Sequence, residues 1–165
     1  MDNVAAMTAT IWVGIAISSY LLGSIPTGFL WAKARGIDIR SVGSGNIGAT
    51  NVMRALGKGP GITVLLIDAA KGFVPVFVAP VFFPHLDRNT LQILCCICVI
   101  AGHNWTCWLK FKGGKGVATS AGADFAVLSV QTAGTNYALV ATSSNVASAT
   151  RIGPRFTEND AIAAR

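Results

Sequence analysis

The 165-residue chain is expected to be all-α: a polytopic helical bundle in a membrane, with three spanning segments and part of a fourth. Three observations predict this. Charged residues make up 12% of the chain, about half the quarter found in an ordinary soluble domain. The mean hydropathy is +0.56, and the apolar residues gather in three long runs, each near the roughly 20 residues that a helix needs to cross the hydrocarbon core. The basic residues collect in the loops that follow the first and third runs, the bias of cytoplasmic loops.

The first run covers residues 9–32 and holds no charged residue. Asp2 is the only charge before Lys33. A secretory signal would begin with a basic region and have a shorter apolar stretch, so an uncleaved anchor is expected. Pro26 falls inside the run and should kink it or end its regular part. A polar, glycine-rich loop follows, with Lys33, Arg35, Arg40, Arg54 and Lys58 set against Asp38 alone. The second run, residues 60–84, contains Asp68 and Lys71, three apart on one helix face and able to pair. A polar hinge at residues 85–89 leads to the third run, residues 90–109, which contains His103 and Asn104. Alternating crossings put the two basic loops on one side, the cytoplasm, and the N-terminus outside. From Ala123 onward alanine, serine, threonine and asparagine dominate, and no apolar stretch approaches spanning length. The expected organisation is a membrane domain over residues 1–122 and a divergent tail, poorly structured or weakly helical, over residues 123–165.

The net charge of +6 does not point to nucleic acid. Aromatic residues are not interleaved with the basic ones, and the basic residues flank apolar runs. Of the four cysteines, Cys95, Cys96 and Cys98 sit inside the third apolar run and Cys107 near its end, with no histidine pair beside them. They are expected to be small core residues rather than metal ligands or disulfide partners.

The chemistry concentrates in two loops. Residues 43–54 read Gly-Ser-Gly-Asn-Ile-Gly-Ala-Thr-Asn-Val-Met-Arg. Glycines let backbone N–H groups converge on an anion. Ser44 and Thr50 offer hydroxyls, Asn46 and Asn51 offer amides, and Arg54 presents a fork of donors suited to phosphate. The second loop, Lys112-Gly113-Gly114-Lys115-Gly116-Val117-Ala118-Thr119, reads as another phosphate cradle. It is not a Walker A loop, because Gly116 stands where Ser or Thr must follow the lysine. Taken alone, the loops also fit a flexible linker and a run of topogenic charge. His103 is either a catalytic group or a helix-packing hydrogen-bonder, and the Asp68–Lys71 pair is expected to hold helices together.

Taken together, the motifs resemble the bacterial membrane-bound glycerol-3-phosphate acyltransferases that use acyl phosphate, the PlsY family. The likeness begins at Gly23-Ser24-Ile25-Pro26-Thr27-Gly28 and passes through residues 35–40, residues 43–54 and Asp68 with Lys71-Gly72. It resumes at Gly102-His103-Asn104-Trp105 and continues over residues 111–119. The resemblance implies transfer of a fatty acyl group from acyl phosphate to the 1-hydroxyl of glycerol 3-phosphate, giving lysophosphatidic acid at a bacterial inner membrane. Ser44 and Arg54 match the serine and arginine of the family's first motif. Residues 113–119 match its glycerol-phosphate-binding loop. The catalytic set implied is Ser44, Arg54 and His103. The substrate-binding set is Gly45, Asn46, Thr50, Asn51, Asn104, Lys112, Gly113, Gly114, Lys115, Gly116 and Thr119. Gly113, Gly114 and Lys115 are expected to hold one phosphate, Arg54 the other or the developing charge, and Ser44 and the asparagines to orient the donor. The donor arrives activated, so no covalent Ser44 intermediate, metal or organic cofactor is needed. The proton leaves through His103 or the substrate's own phosphate.

The chain departs from the family pattern in two places. Thr106 stands where a proline usually follows the Gly-His-Asn motif. After Gly122 neither further spans nor the family's third motif, with its histidine, is found, which implies either a divergent tail on an enzyme or an impaired remnant of one. A small anion transporter is a further reading of the same two loops.

Overall fold

The computed structural model describes residues 2–129, which form one compact unit. Among the described residues there are helices and no strands, as the composition requires. The main helices are α1 (Asp2–Ser24), α2 (Thr27–Lys33), α3 (Ala49–Leu56), α4 (Lys58–Phe82) and α5 (Arg88–Asn104). A shorter apolar helix, α6, covers Val117–Ser129. Three helical segments are long and apolar enough to cross a membrane: Asn3–Lys33, Lys58–Phe82 and Arg88–Leu109.

Pro26 does end the regular part of the first span. α1 stops at Ser24, and α2 restarts at Thr27. Pro75 and Pro80, by contrast, lie inside α4 without ending it. α5 is capped by Asp87, whose carboxylate accepts the Thr90 N–H at 2.8 Å and the Thr90 hydroxyl at 2.6 Å. These bonds hold the Asp87 carboxyl below its usual pKa.

Small residues set the packing. A Cβ on Gly23 would strike the Val99 carbonyl, and one on Gly102 would strike the Tyr20 carbonyl. α1 and α5 therefore touch backbone to backbone, in the manner of helices that associate in lipid. Gly72 and Gly122 do the same for α4 and α6, against Thr119 and Ala69. Two cores result. One joins Ile15, Val76, Leu91, Cys95, Ala123 and Ala126, and the other, beneath the first loop, joins Ala32, Ile39, Ile47, Val52 and Val64. Val13, Ile17 and Leu21 on α1, Leu66 and Val81 on α4, and Ile93 and Ile97 on α5 remain exposed, as a face towards lipid requires. All four cysteines are free, and Cys95 belongs to the core as expected.

The chain is helical over the first residues of the expected tail. α6 runs through Gly122 without a break, and Ala123 and Ala126 are fully buried. Alanine gives little hydropathy, but it lets a helix approach closely enough to bury its face. The rest of the expected tail, residues 130–165, lies outside the described residues.

Candidate active site

α2 carries a collar of cations that serve the fold. The Arg40 guanidinium stacks on Phe29 at 4.8 Å, and the Arg35 guanidinium on Trp31 at 5.0 Å. Arg40 also grips Asp38 through two bonds, of 2.9 and 2.8 Å. The Arg40 bonds hold the exposed Asp38 carboxyl down at about 2. These basic residues therefore have partners. Among the described residues Arg54 and Lys115 have no ion pair, and both line a cavity of about 400 Å³.

The first loop builds one wall of this cavity, and Asn51 sets its shape. The buried Asn51 amide donates to the carbonyls of Ile39, Val42 and Asn46 at 3.1, 2.9 and 2.9 Å. Its Oδ1 accepts the Ser44 N–H at 3.0 Å. Asn46 Oδ1 accepts the Gly48 N–H at 2.8 Å. Gly45, at φ +69°, makes a turn that few other residues allow, with its N–H on the Val42 carbonyl at 3.1 Å. The N–H groups of Ser44, Gly45 and Gly48 thus close turns instead of converging on an anion. The N–H groups of Ala49 and Thr50, by contrast, make no hydrogen bond among the described residues, and α3 has no side-chain cap. This helix start lines the cavity, with the exposed Ser44 hydroxyl and Arg54 beside it.

The second loop builds the facing wall. The Gly113 N–H donates to the Asn104 carbonyl and the Gly114 N–H to the His103 carbonyl, both at 3.0 Å. These two glycines finish α5, so their N–H groups are not the phosphate donors that the sequence suggests. A side chain on Gly114 would collide with the His103 ring. Gly116, at φ +73°, turns the chain into α6. The first N–H groups of α6, at Val117 and Ala118, make no hydrogen bond among the described residues, and both residues line the cavity. Two helix N-termini therefore open onto one cavity, each beside an unpaired cation. Helix N-termini carry partial positive charge and free donors, so the arrangement suits two anionic groups.

The floor is polar and buried. His103 Nδ1 lies 3.2 Å from the Thr119 hydroxyl and 3.9 Å from Asp68 Oδ1. Asp68 pairs with Lys71 at 2.9 Å, and Lys71 Nζ donates to the Ile25 carbonyl at 2.8 Å, at the break between α1 and α2. The pair joins helices as expected, but Asp68 also lines the cavity, a role its sequence spacing did not show. Thr106 is buried, and its hydroxyl donates to the Ser24 carbonyl at the end of α1.

Of the residues singled out in the sequence, the fold gathers Ser44, Asn46, Thr50, Asn51, Arg54, His103, Lys115 and Gly116 around the cavity. Gly45, Asn104, Lys112, Gly113, Gly114 and Thr119 are not among its lining residues. Of these, Thr119 bonds the His103 ring and the two glycines support it. Besides Asp68, the lining residues absent from the expected set include Ala49, Val117 and Ala118. Their contribution is backbone N–H at helix starts, which the glycines just before them could have signalled.

A family model described as glycerol-3-phosphate acyltransferase matches residues 13–153. The chain belongs to this family. It is 52% identical over 117 residues to a glycerol-3-phosphate acyltransferase of Desulforamulus reducens, covering 70% of this chain and 56% of that protein. It is 51% identical over 116 residues to one of Thermus thermophilus, with coverage of 70% and 56%. The structure is similar to the crystal structure of PlsY (YgiH), an integral membrane glycerol 3-phosphate acyltransferase, in its glycerol 3-phosphate form. The TM-score is 0.65 at 46% identity, covering 70% of this chain and 57% of that one. The lysophosphatidic acid form of PlsY gives a TM-score of 0.63 at 45% identity. The chain spans a little over half the length of the relatives it matches. Membership confirms the all-helical membrane fold expected from the apolar runs and the family resemblance drawn from the two loops.

Proposed function

We propose that this chain transfers a fatty acyl group from acyl phosphate to the 1-hydroxyl of glycerol 3-phosphate, giving lysophosphatidic acid and inorganic phosphate. One observation carries the reading: two helix N-termini, each beside a cation that has no ion pair among the described residues, open onto a single cavity. Both substrates carry a phosphate, so a two-anion site suits them better than a site for one. The related PlsY structures bear the names of glycerol 3-phosphate and lysophosphatidic acid, which supports the acceptor and product.

The donor phosphate lies at the start of α3 with Ser44, Thr50 and Arg54. The acceptor phosphate lies at the start of α6 with Lys115. The 1-hydroxyl oxygen attacks the acyl carbonyl, the ester bond forms, and the bond from carbonyl carbon to phosphate oxygen breaks. His103, on the cavity wall, takes the hydroxyl proton, and Arg54 with the α3 N–H groups stabilises the charge that builds up. The basic collar and both glycine-rich loops face the cytoplasm of a bacterial inner membrane, so the lipid-soluble donor enters from the bilayer and the acceptor from water. Membrane domain and tail divide near Gly122 in function, since every proposed site residue precedes it.

The test uses the full chain purified in detergent, with palmitoyl phosphate and radiolabelled glycerol 3-phosphate. Labelled lysophosphatidic acid is the expected product. A correctly folded preparation that forms none, with either substrate in excess, would rule the proposal out.

A further inference from the structure

The cavity is electrically lopsided. Arg54, Lys115 and two helix N-termini occupy its rim, while a carboxylate stands on its floor. The Asp68 side chain is 4% exposed. Among the described residues its close donor is the Lys71 ammonium at 2.9 Å, with His103 Nδ1 farther off at 3.9 Å. Lys71 is shared, since its Nζ also donates to the Ile25 carbonyl at 2.8 Å. A carboxylate can accept about four hydrogen bonds, so Asp68 keeps acceptor capacity where it borders the cavity. A buried carboxylate served by one shared ammonium is short of donors, which is costly, and a ligand donor would relieve it. A phosphate cannot serve, because it would set two anions side by side. A hydroxyl can.

We infer that Asp68 recognises the hydroxyl end of the acceptor, so that a polyol phosphate binds with its phosphate at the cationic rim and its hydroxyls donating to the Asp68 carboxylate. Asp68 is then the specificity-determining residue that separates a hydroxylated phosphate monoester from a plain one. The inference rests on the acyl-transfer reading for the identity of the acceptor. Recognition of this kind is selective, because an analogue without the hydroxyl leaves the carboxylate unpaired.

Calorimetric titration of the full chain in detergent tests it with two ligands of equal charge and carbon number, glycerol 3-phosphate and propyl phosphate. The wild-type chain should prefer glycerol 3-phosphate by about ten-fold or more. The main variant is D68N/K71M, which removes the whole buried pair and so avoids a lone buried charge. The Thr27 N–H still serves the Ile25 carbonyl at 3.0 Å. The double variant should bind propyl phosphate as the wild type does, and its preference should shrink to within about two-fold. A retained preference in the double variant overturns the inference. So does a parallel loss of both ligands, which marks a structural role, and so does a wild type with no preference. The acyl-transfer assay is read separately. If it fails while the preference behaves as expected, the functional reading falls and hydroxyl recognition by Asp68 stands.

Discussion

The two glycine-rich loops face each other across one cavity, yet they hold their shapes by opposite means. Residues 43–54 are tied from within by a side chain, since Asn51 bonds three carbonyls and one N–H. Residues 112–119 are tied from outside by a helix, since Gly113 and Gly114 bond the last carbonyls of α5 and pack on His103. In both loops the glycines and amides that look like ligand donors build the frame. The free donors are left at the helix starts that follow, Ala49-Thr50 and Val117-Ala118. A loop rich in polar groups spends most of them on its own backbone, because buried N–H and C=O groups must be paired.

The largest expected effect separates frame from function. Arg54→Ala removes the unpaired cation of the first wall and leaves the Asn51 bonds intact. Acyl transfer should fall on the order of a thousand-fold with no change in thermal midpoint, and near-native turnover would sink the assignment. Next is the contrast between frames. Asn51→Ala removes four hydrogen bonds and leaves the Ser44 N–H and the Asn46 carbonyl without their partner, and should cost about 3 kcal/mol of stability and expose the first loop to limited proteolysis. Gly114→Ala should leave that loop protected and cut turnover by displacing the His103 ring. Equal proteolysis patterns in the two variants would show that the loops are not independently framed. The smallest effect belongs to Lys115→Ala. The N–H groups at the start of α6 remain, so the KM for glycerol 3-phosphate should rise about ten-fold with kcat little changed. An unchanged KM would move the acceptor phosphate elsewhere.

Much of this architecture was legible in the residues. Length and lack of charge mark the three spans, Pro26 marks the break in the first, and the spacing of Asp68 and Lys71 marks their pairing. Ser44, Arg54 and Lys115 were legible as candidates because hydroxyl and cation chemistry does not depend on where the backbone turns. The direction in which an amide points was not legible. Asn46 and Asn51 could serve a ligand or the chain with the same composition, and the choice is made by carbonyls up to twelve residues away, such as that of Ile39. Gly113 and Gly114 were misread as donors for a related reason, since only the end of α5 shows where their N–H groups go. Asp68 was recognised as a partner for Lys71, but its place on the cavity floor depends on how α4 meets α5 and α6. Packing by Ala123 and Ala126 was hidden by their low hydropathy.

The contact between Lys71 and the Ile25 carbonyl also bears on how the chain is made. The second span brings a full positive charge into hydrocarbon and can answer it from its own sequence only with Asp68. The remaining bond comes from the first span, at the point where Pro26 has already interrupted the helix. The second span entering lipid alone would carry a lysine answered by one carboxylate, and the first span supplies a second acceptor. The pair is therefore suited to leave the insertion machinery as one hairpin, with the lysine handed across before either helix meets the bilayer unaided.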